Sequence, residues 1–383
     1  MAPNPSTPIA VGDPARRAAA GPAASGSTGI ARTLTRRSAL AGAAALAAGL
    51  ALPGRGTART HAGIPFGGAV QAEHFDSDPS YRQAFLDHCD LVMPMNELKF
   101  SLLRPNRESW NFEPADRLVD FAIANGRLCR GTTHVWYGAT PDWITRLESE
   151  REIAAALGEH VERVSDRYRG RVTDWDVCNE VIAHDPASEG PLRDTFWLRR
   201  LGPRHIPDAF ALAARADPSA TLTLNDYDLE FRGSRYDLRR ATMLSIVRQM
   251  QDRNVPVHRV GLQAHLYLEK EIDVEGLARF GAELKALGVG LVVTELDLID
   301  WQIEGGPAEQ DAAAERSVSA FLDGLLDAGR PAAVVAWGIT DRYSWISDVM
   351  PREDGKPERP LPLDRDYRPK PWYETLRRRL ATA

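Results

Sequence analysis

From residue 64 onward, short apolar runs of strand type alternate with segments of helical periodicity, and that alternation leaves few folds open. The runs are FGGAVQA (66–72), LVMPMNE (91–97), LCRGTTHVW (128–136), VTDWDVCNE (172–180), TLTLNDYD (221–228), VGLQAHL (260–266), GLVVTELD (290–297) and AAVVAWGIT (332–340). Between them, PADRLVDFAIANG places Leu118, Phe121 and Ala122 on one helical face and closes on Asn125-Gly126, a C-cap signal. The segments IAAALGEHVERVSDRY and VEGLARFGAELKALG read the same way. Strands separated by helices imply parallel pairing through crossovers. Eight such units in about 300 residues predict an α/β chain folded as a single closed (β/α)8 TIM barrel. A doubly wound open sheet is the alternative. No G-x-G-x-x-G follows the first run, and neither an internal repeat nor a second domain is visible.

The stretch RVTDWDVCNEVIAHD (171–185) sharpens the prediction. A buried parallel strand is normally a near-continuous apolar run, and a buried carboxylate without partners is costly. In seven of the eight runs, polar residues gather at the C-terminal end: Asn96 and Glu97, Thr132 to His134, Asn179 and Glu180, Asn225 and Asp226, Gln263 and His265, Glu295 and Asp297, Thr340 and Asp341. In a barrel these ends form one face, which carries the active site. Asp174 and Asp176 lie earlier in their strand and are expected to be hydrogen-bonded supports or exposed at its start. Glu180 and Glu295 end the fourth and seventh runs, 115 positions apart. Two carboxyls facing one bound molecule suit glycoside hydrolysis, where one stays protonated for the leaving oxygen and the other is ionised to attack.

Composition narrows the function classes. The chain is 43% hydrophobic and 26% charged, an ordinary globular balance. Residues 1–59 hold seven Arg and one Asp, so that segment is +6; with −6 overall, the rest of the chain carries −12. An acidic body without a basic stripe argues against nucleic acid as a partner. The segment TRRSALAGAAALAAGLALPG has a twin arginine, Arg36 and Arg37, ahead of the weakly apolar run Ala39 to Leu52. That run is too short and too rich in Ala and Gly to span a bilayer. It resembles a twin-arginine export signal. Residues 1–59 are therefore expected to be a leader and 60–383 the catalytic barrel, with export to the periplasm or the medium and no stable membrane association. Cys89, Cys129 and Cys178 have apolar neighbours and no C-x-x-C spacing, so buried inert thiols are expected.

Several motifs, taken in order, resemble glycoside hydrolase family 10, the family of retaining endo-1,4-β-xylanases. WDVCNEV (175–181) is similar to its acid/base motif W-D-V-x-N-E, and VVTELDL (292–298) to its nucleophile motif I-T-E-L-D. MNELKF (95–100), LNDYDLE (224–230), GLQAHL (261–266), VVAWGITDRYSW (334–345) and LPLDRDYRPKPWYETL (361–376) also match in order. The resemblance spans residues 64–380. It implies Glu180 as general acid/base and Glu295 as nucleophile. It implies Asn179 at the sugar 2-hydroxyl, and His265 holding the nucleophile with Asp297 in support. Asn96 and Lys99 would serve the next glycone subsite, and Gln263 and Trp337 the cleavage subsite. Trp136 and Trp345 would line the cleft for sugar rings, and Tyr227 would stack an aglycone sugar. No metal or organic cofactor is implied. The expected partner is xylan or its oligosaccharides, acted on by a monomer.

One loop departs from the family pattern R-G-H-T-L-V-W-H-S-Q-x-P-x-W. Here RGTTHVWYGATPDW (130–143) puts Thr132 and Tyr137 where histidines are expected and Ala139 where a Gln is; Met95 replaces a common Glu. The reaction class survives these changes, while the sugar is less constrained. A barrel of the same family acting on another β-linked glycoside stays open. So does a carbohydrate-binding barrel with weak catalysis, although both Glu are present.

Overall fold

The computed structural model describes residues 63–383; the leader expected over 1–59 lies outside them. Among the described residues nine strands form: β1 (Phe66–Val70), β2 (Leu91–Pro94), β3 (Leu128–Val135), β4 (Asp174–Asn179), β5 (Thr221–Asp226), β6 (Arg259–Leu262), β7 (His265–Tyr267), β8 (Gly290–Ile299) and β9 (Val334–Ala336). They pair in the order β6-β5-β4-β3-β2-β1-β9-β8, and β6 also pairs with β8, which closes the ring. Every pair is parallel. The closure excludes the open sheet. The short β7 pairs with β8 alone and continues β6 after a break at Gln263 and Ala264, where Ala264 takes φ +61°. Eight barrel strands thus match the eight apolar runs. Several runs overshoot their strands: 91–97 yields Leu91–Pro94, and 332–340 yields Val334–Ala336. The polar ends of those runs lie beyond the ladder, in loops above the barrel.

The helices follow from caps and periodicity. Helix Glu150–Tyr168 buries Ile153, Leu157, Val161, Val164 and Tyr168 at steps of three and four, and Ser149 accepts from the Glu152 N–H at 3.4 Å. Helix Pro79–His88 starts with proline after Asp78, whose carboxylate accepts from the Ser80 and Tyr81 N–H groups. Helix Glu113–Ala124 stops before Asn125, and Gly126 turns the chain with φ +63°.

The barrel interior is divided. On the β1, β2, β8 and β9 side, Ala69, Met93, Met95, Val292, Val335 and Trp337 pack as one apolar cluster. On the β3 to β5 side it is polar. Arg130 Nη2 donates to Asp176 Oδ1 at 2.6 Å, and Thr223 Oγ1 donates to Asp174 Oδ1 at 2.9 Å, with Arg259 also on Asp174. Asp174 and Asp176 are therefore hydrogen-bonded supports. Burial pushes Asp176 up to about 7, with Arg130 opposing. The three cysteines are buried and unpaired. Among the described residues no helix is long and apolar enough to cross a membrane.

One expectation fails at the end of β3. The sequence groups His134 with Thr132 at the mouth, but the ladder with β4 shifts register between Thr132 and Val135. His134 instead stacks on Trp175, ring centroids 4.4 Å apart, and meets Ser165 Oγ at 3.2 Å. It belongs to the layer between the barrel and helix Glu150–Tyr168.

Candidate active site

Glu180 is the first residue past β4, and its backbone is left-handed, with φ +57°. For a residue with a Cβ this costs about 1–3 kcal/mol, a strain that clusters at functional sites. The Glu180 N–H still donates to Asn225 O at 2.9 Å, so the residue stays tied to β5 while its direction changes. Glu295 lies within β8, and its N–H donates to Gln263 O at 3.0 Å. Both side chains are buried.

A relay of amides joins the two carboxyls. Asn225 Nδ2 donates to Glu295 Oε1 at 2.8 Å and to Asn179 Oδ1 at 2.8 Å. Gln263 Nε2 reaches the same Asn179 oxygen at 3.1 Å and Glu180 Oε1 at 3.3 Å. Asn179 Nδ2 lies 3.5 Å from that Glu180 oxygen. The orientation of Asn225 is fixed because its Oδ1 accepts from Thr294 Oγ1 at 2.8 Å, leaving its NH2 to face the acids. The other Glu295 oxygen is 3.5 Å from His265 Nε2. His265 Nδ1 lies 2.7 Å from Asp297 Oδ1, and Asp297 Oδ2 accepts from Trp345 Nε1 at 2.7 Å.

The electrostatics differ on the two sides. Burial raises the pKa of Glu180, the charges of Asp226 and Glu295 raise it further, and Arg193 opposes them. Burial works against charge on His265, but Asp297 and Glu295 outweigh it and hold the imidazole well above its usual range. Glu295 thus has a cation beside it. Burial and like charge thus favour the acid form of Glu180, the state a proton donor requires.

The remaining predicted residues fall around this pair. Lys99 Nζ donates to Asn96 Oδ1 at 2.8 Å and lies 4.9 Å from the Trp136 ring and 5.4 Å from the Trp337 ring. The Tyr227 hydroxyl accepts from Arg193 and is 3.2 Å from His184 Nδ1. Three strand-end acids serve the scaffold instead. Glu97 accepts from the Ala72 and Asn96 N–H groups, Asp226 binds Arg239 and the Ile182 N–H, and Asp341 pairs with Lys370. The departures Met95, Thr132 and Ala139 are all buried. Asn225 and Arg193 are absent from the sequence-derived site. Asn225 was visible as a strand-end polar residue. Arg193 gave no signal, because it lies in a loop 13 residues after Glu180 and only the fold brings it back.

Comparison with known proteins adds independent evidence. Glycosyl hydrolase family 10 matches residues 56–379. Endo-1,4-beta-xylanase B of Thermotoga neapolitana is 30% identical over 289 residues, which are 75% of this chain and 80% of that protein. Exoglucanase XynX of Acetivibrio thermocellus is 30% identical over 81% of this chain, and the match spans 28% of that much longer protein. Among solved structures, xylanase 10B from Thermotoga petrophila RKU-1 in complex with xylobiose is similar with a TM-score of 0.75 at 27% identity. That match covers 84% of this chain and 95% of the other.

Proposed function

The chain belongs to glycosyl hydrolase family 10, and from that premise we propose that it is a retaining endo-1,4-β-xylanase in which Glu180 is the acid/base and Glu295 the nucleophile. The observation that carries this reading is the relay Glu295–Asn225–Asn179–Gln263–Glu180, which ties the two carboxyls together through three amides. The 30% identity to an endo-1,4-beta-xylanase over three-quarters of the chain supports the substrate class.

The steps follow from the geometry. Glu295 attacks the anomeric carbon of the sugar on the glycone side. As the glycosidic C–O bond breaks, Glu180 gives its proton to the leaving oxygen, and a glycosyl ester forms on Glu295. Esterification removes the Glu295 charge, one of the causes that raise Glu180's pKa, so the pKa falls and Glu180 becomes a base. It then takes a proton from water, the water oxygen bonds to the anomeric carbon, and the ester bond breaks. Asn225 and His265 hold one Glu295 oxygen each, which fixes the line of attack. Asn179, with its Oδ1 saturated by two donors, is left to offer its NH2 toward Glu180 and the sugar. Lys99, which reaches the Trp136 and Trp337 rings and donates to Asn96, forms with Asn96 the polar end of the glycone side.

The test uses two variants and an aryl β-xylobioside with a nitrophenolate leaving group. Glu295→Ala should lose turnover of every substrate. Glu180→Ala should keep glycosylation of the aryl substrate and recover turnover with azide, giving a β-glycosyl azide. Azide rescue of Glu295→Ala with a β-azide product, and of Glu180→Ala with an α-azide product, would reverse the two roles.

A further inference from the structure

We infer that Arg193 is a positioning residue for the acid/base: it clamps the left-handed backbone of Glu180 and, with Tyr137 and Tyr227, builds the flank on which the leaving-group side of the substrate rests. The inference rests on the reading of Glu180 given above.

The chain after Glu180 doubles back on itself. Ile182 bridges Leu192 in antiparallel fashion, the Arg193 N–H donates to Val181 O at 2.9 Å, and the Ala183 N–H donates to Pro191 O at 3.2 Å. This return brings Arg193 to the residue it left 13 positions earlier. Its Nε donates to the backbone oxygen of Glu180 at 3.1 Å, the peptide group whose φ is +57°. Its Nη2 donates to the Tyr227 hydroxyl, and its Nη1 is 3.5 Å from the Tyr137 hydroxyl. The guanidinium lies over both rings, 4.9 Å from that of Tyr137 and 5.3 Å from that of Tyr227. Arg239 follows, 4.2 Å from the Tyr227 ring. Tyrosine and arginine thus alternate along the flank from β3 to β5, and Tyr137 is one of the loop residues that depart from the family pattern. A histidine could turn cationic beside Arg193, whereas a tyrosine ring accepts the guanidinium on its face.

The charge has a consequence for the reaction. Asp226 from β5 and Glu295 from β8 face the Glu180 carboxyl with like charge, Trp136 just past β3 and the Tyr137 hydroxyl approach it, and Arg193 is the cation that opposes the two acids. When Glu180 gives up its proton it becomes an anion, and Arg193 stabilises that anion as it forms. The benefit is largest where proton donation matters most, with a sugar as leaving group, and smallest with a nitrophenolate.

The experiment compares Arg193→Met, which removes donors and charge, with Arg193→Lys, which keeps the charge. The pH profile of kcat/KM is read on xylotetraose and on the nitrophenyl β-xylobioside, with circular dichroism to confirm folding. Arg193→Met should lose about 10- to 100-fold on xylotetraose and less than about 10-fold on the aryl substrate. Its alkaline limb on xylotetraose should move up by about one pH unit, because an opposing cation has left the acid. Arg193→Lys should keep the limb within about 0.3 unit of the parent. An unmoved limb in Arg193→Met, or equal losses on the two substrates, would overturn the proposal and leave Arg193 a scaffold residue. If Arg193→Met does not fold, Arg193→Gln must show the same shift. Glu180→Ala run alongside separates the two claims. Without azide rescue the reading of Glu180 fails; with rescue and an unmoved limb, only the role of Arg193 fails.

Discussion

Gly261 on β6 is the ladder partner of Asn225 on β5, and a Cβ built on it would lie 2.2 Å from Asn225 Oδ1. No side chain fits there while Asn225 keeps the bond to Thr294 that turns its NH2 toward Glu295 and Asn179. Gly261→Ala should therefore displace Asn225 and free one Glu295 oxygen. A hydrogen bond to a charged group contributes about 1.5–3 kcal/mol, so kcat should fall about 10- to 150-fold. Steady-state kinetics on xylotetraose with a parallel melting curve checks this, and an unchanged kcat would mean that Asn225 does not hold the nucleophile. At this scale the sequence was informative wherever a residue acts from a strand end: Glu180, Glu295, Asn179, Gln263 and His265 all meet at one mouth, as their positions implied. Arg193 and the role of Gly261 were hidden for one physical reason. Each acts through a neighbour that only the closed barrel supplies, and neither carries a local pattern of spacing or composition.

The element with the least legible behaviour is β3. Strict alternation of side chains places His134 on the face of Thr132, but the register shift turns it outward into a buried layer. There it touches Ser165 and Trp175, with His160 edge-on at 6.1 Å, itself stacked on Phe100 and influenced by Arg104. Among the described residues no carboxylate partners either imidazole. Burial pushes His134 down to about 3 and His160 well below its usual range. An unfolded histidine titrates near 6.5. Between about 6.5 and 3 the unfolded chain therefore binds a proton at position 134 that the folded chain refuses. Stability present above pH 6.5 is lost as the pH falls, by at most about 1.4 kcal/mol per unit for that residue. His134→Leu, the residue of the family pattern, removes this loss. Its melting temperature should exceed the parent's at pH 4.5 and differ little at pH 8. Equal shifts at both pH values would assign the effect to packing. Register also shifts in the β4–β5 and β8–β9 ladders, between Asp176 and Cys178 and between Val293 and Leu296, yet Glu180 and Glu295 still meet at the mouth.

For the whole molecule, alternation of strands and helices predicted a closed barrel, and the β6–β8 pairing supplies the closure. What alternation could not supply is the division of the interior, with an apolar side at Met93, Met95 and Val335 and an ionic side at Arg130 and Asp176. That asymmetry places the polar relay beneath one half of the mouth and the tryptophan-lined lysine above the other. The account makes one demand on the assembled site above all: the two carboxyls must act from opposite faces of the sugar, through an ester on Glu295. Proton NMR during hydrolysis of xylotetraose reads this directly, provided spectra are taken before the anomers equilibrate. The account predicts that the β-anomer of the new reducing end appears first and the α-anomer grows only by mutarotation. An α-anomer released first would mean that water attacks the anomeric carbon directly, and the covalent role of Glu295 would be contradicted.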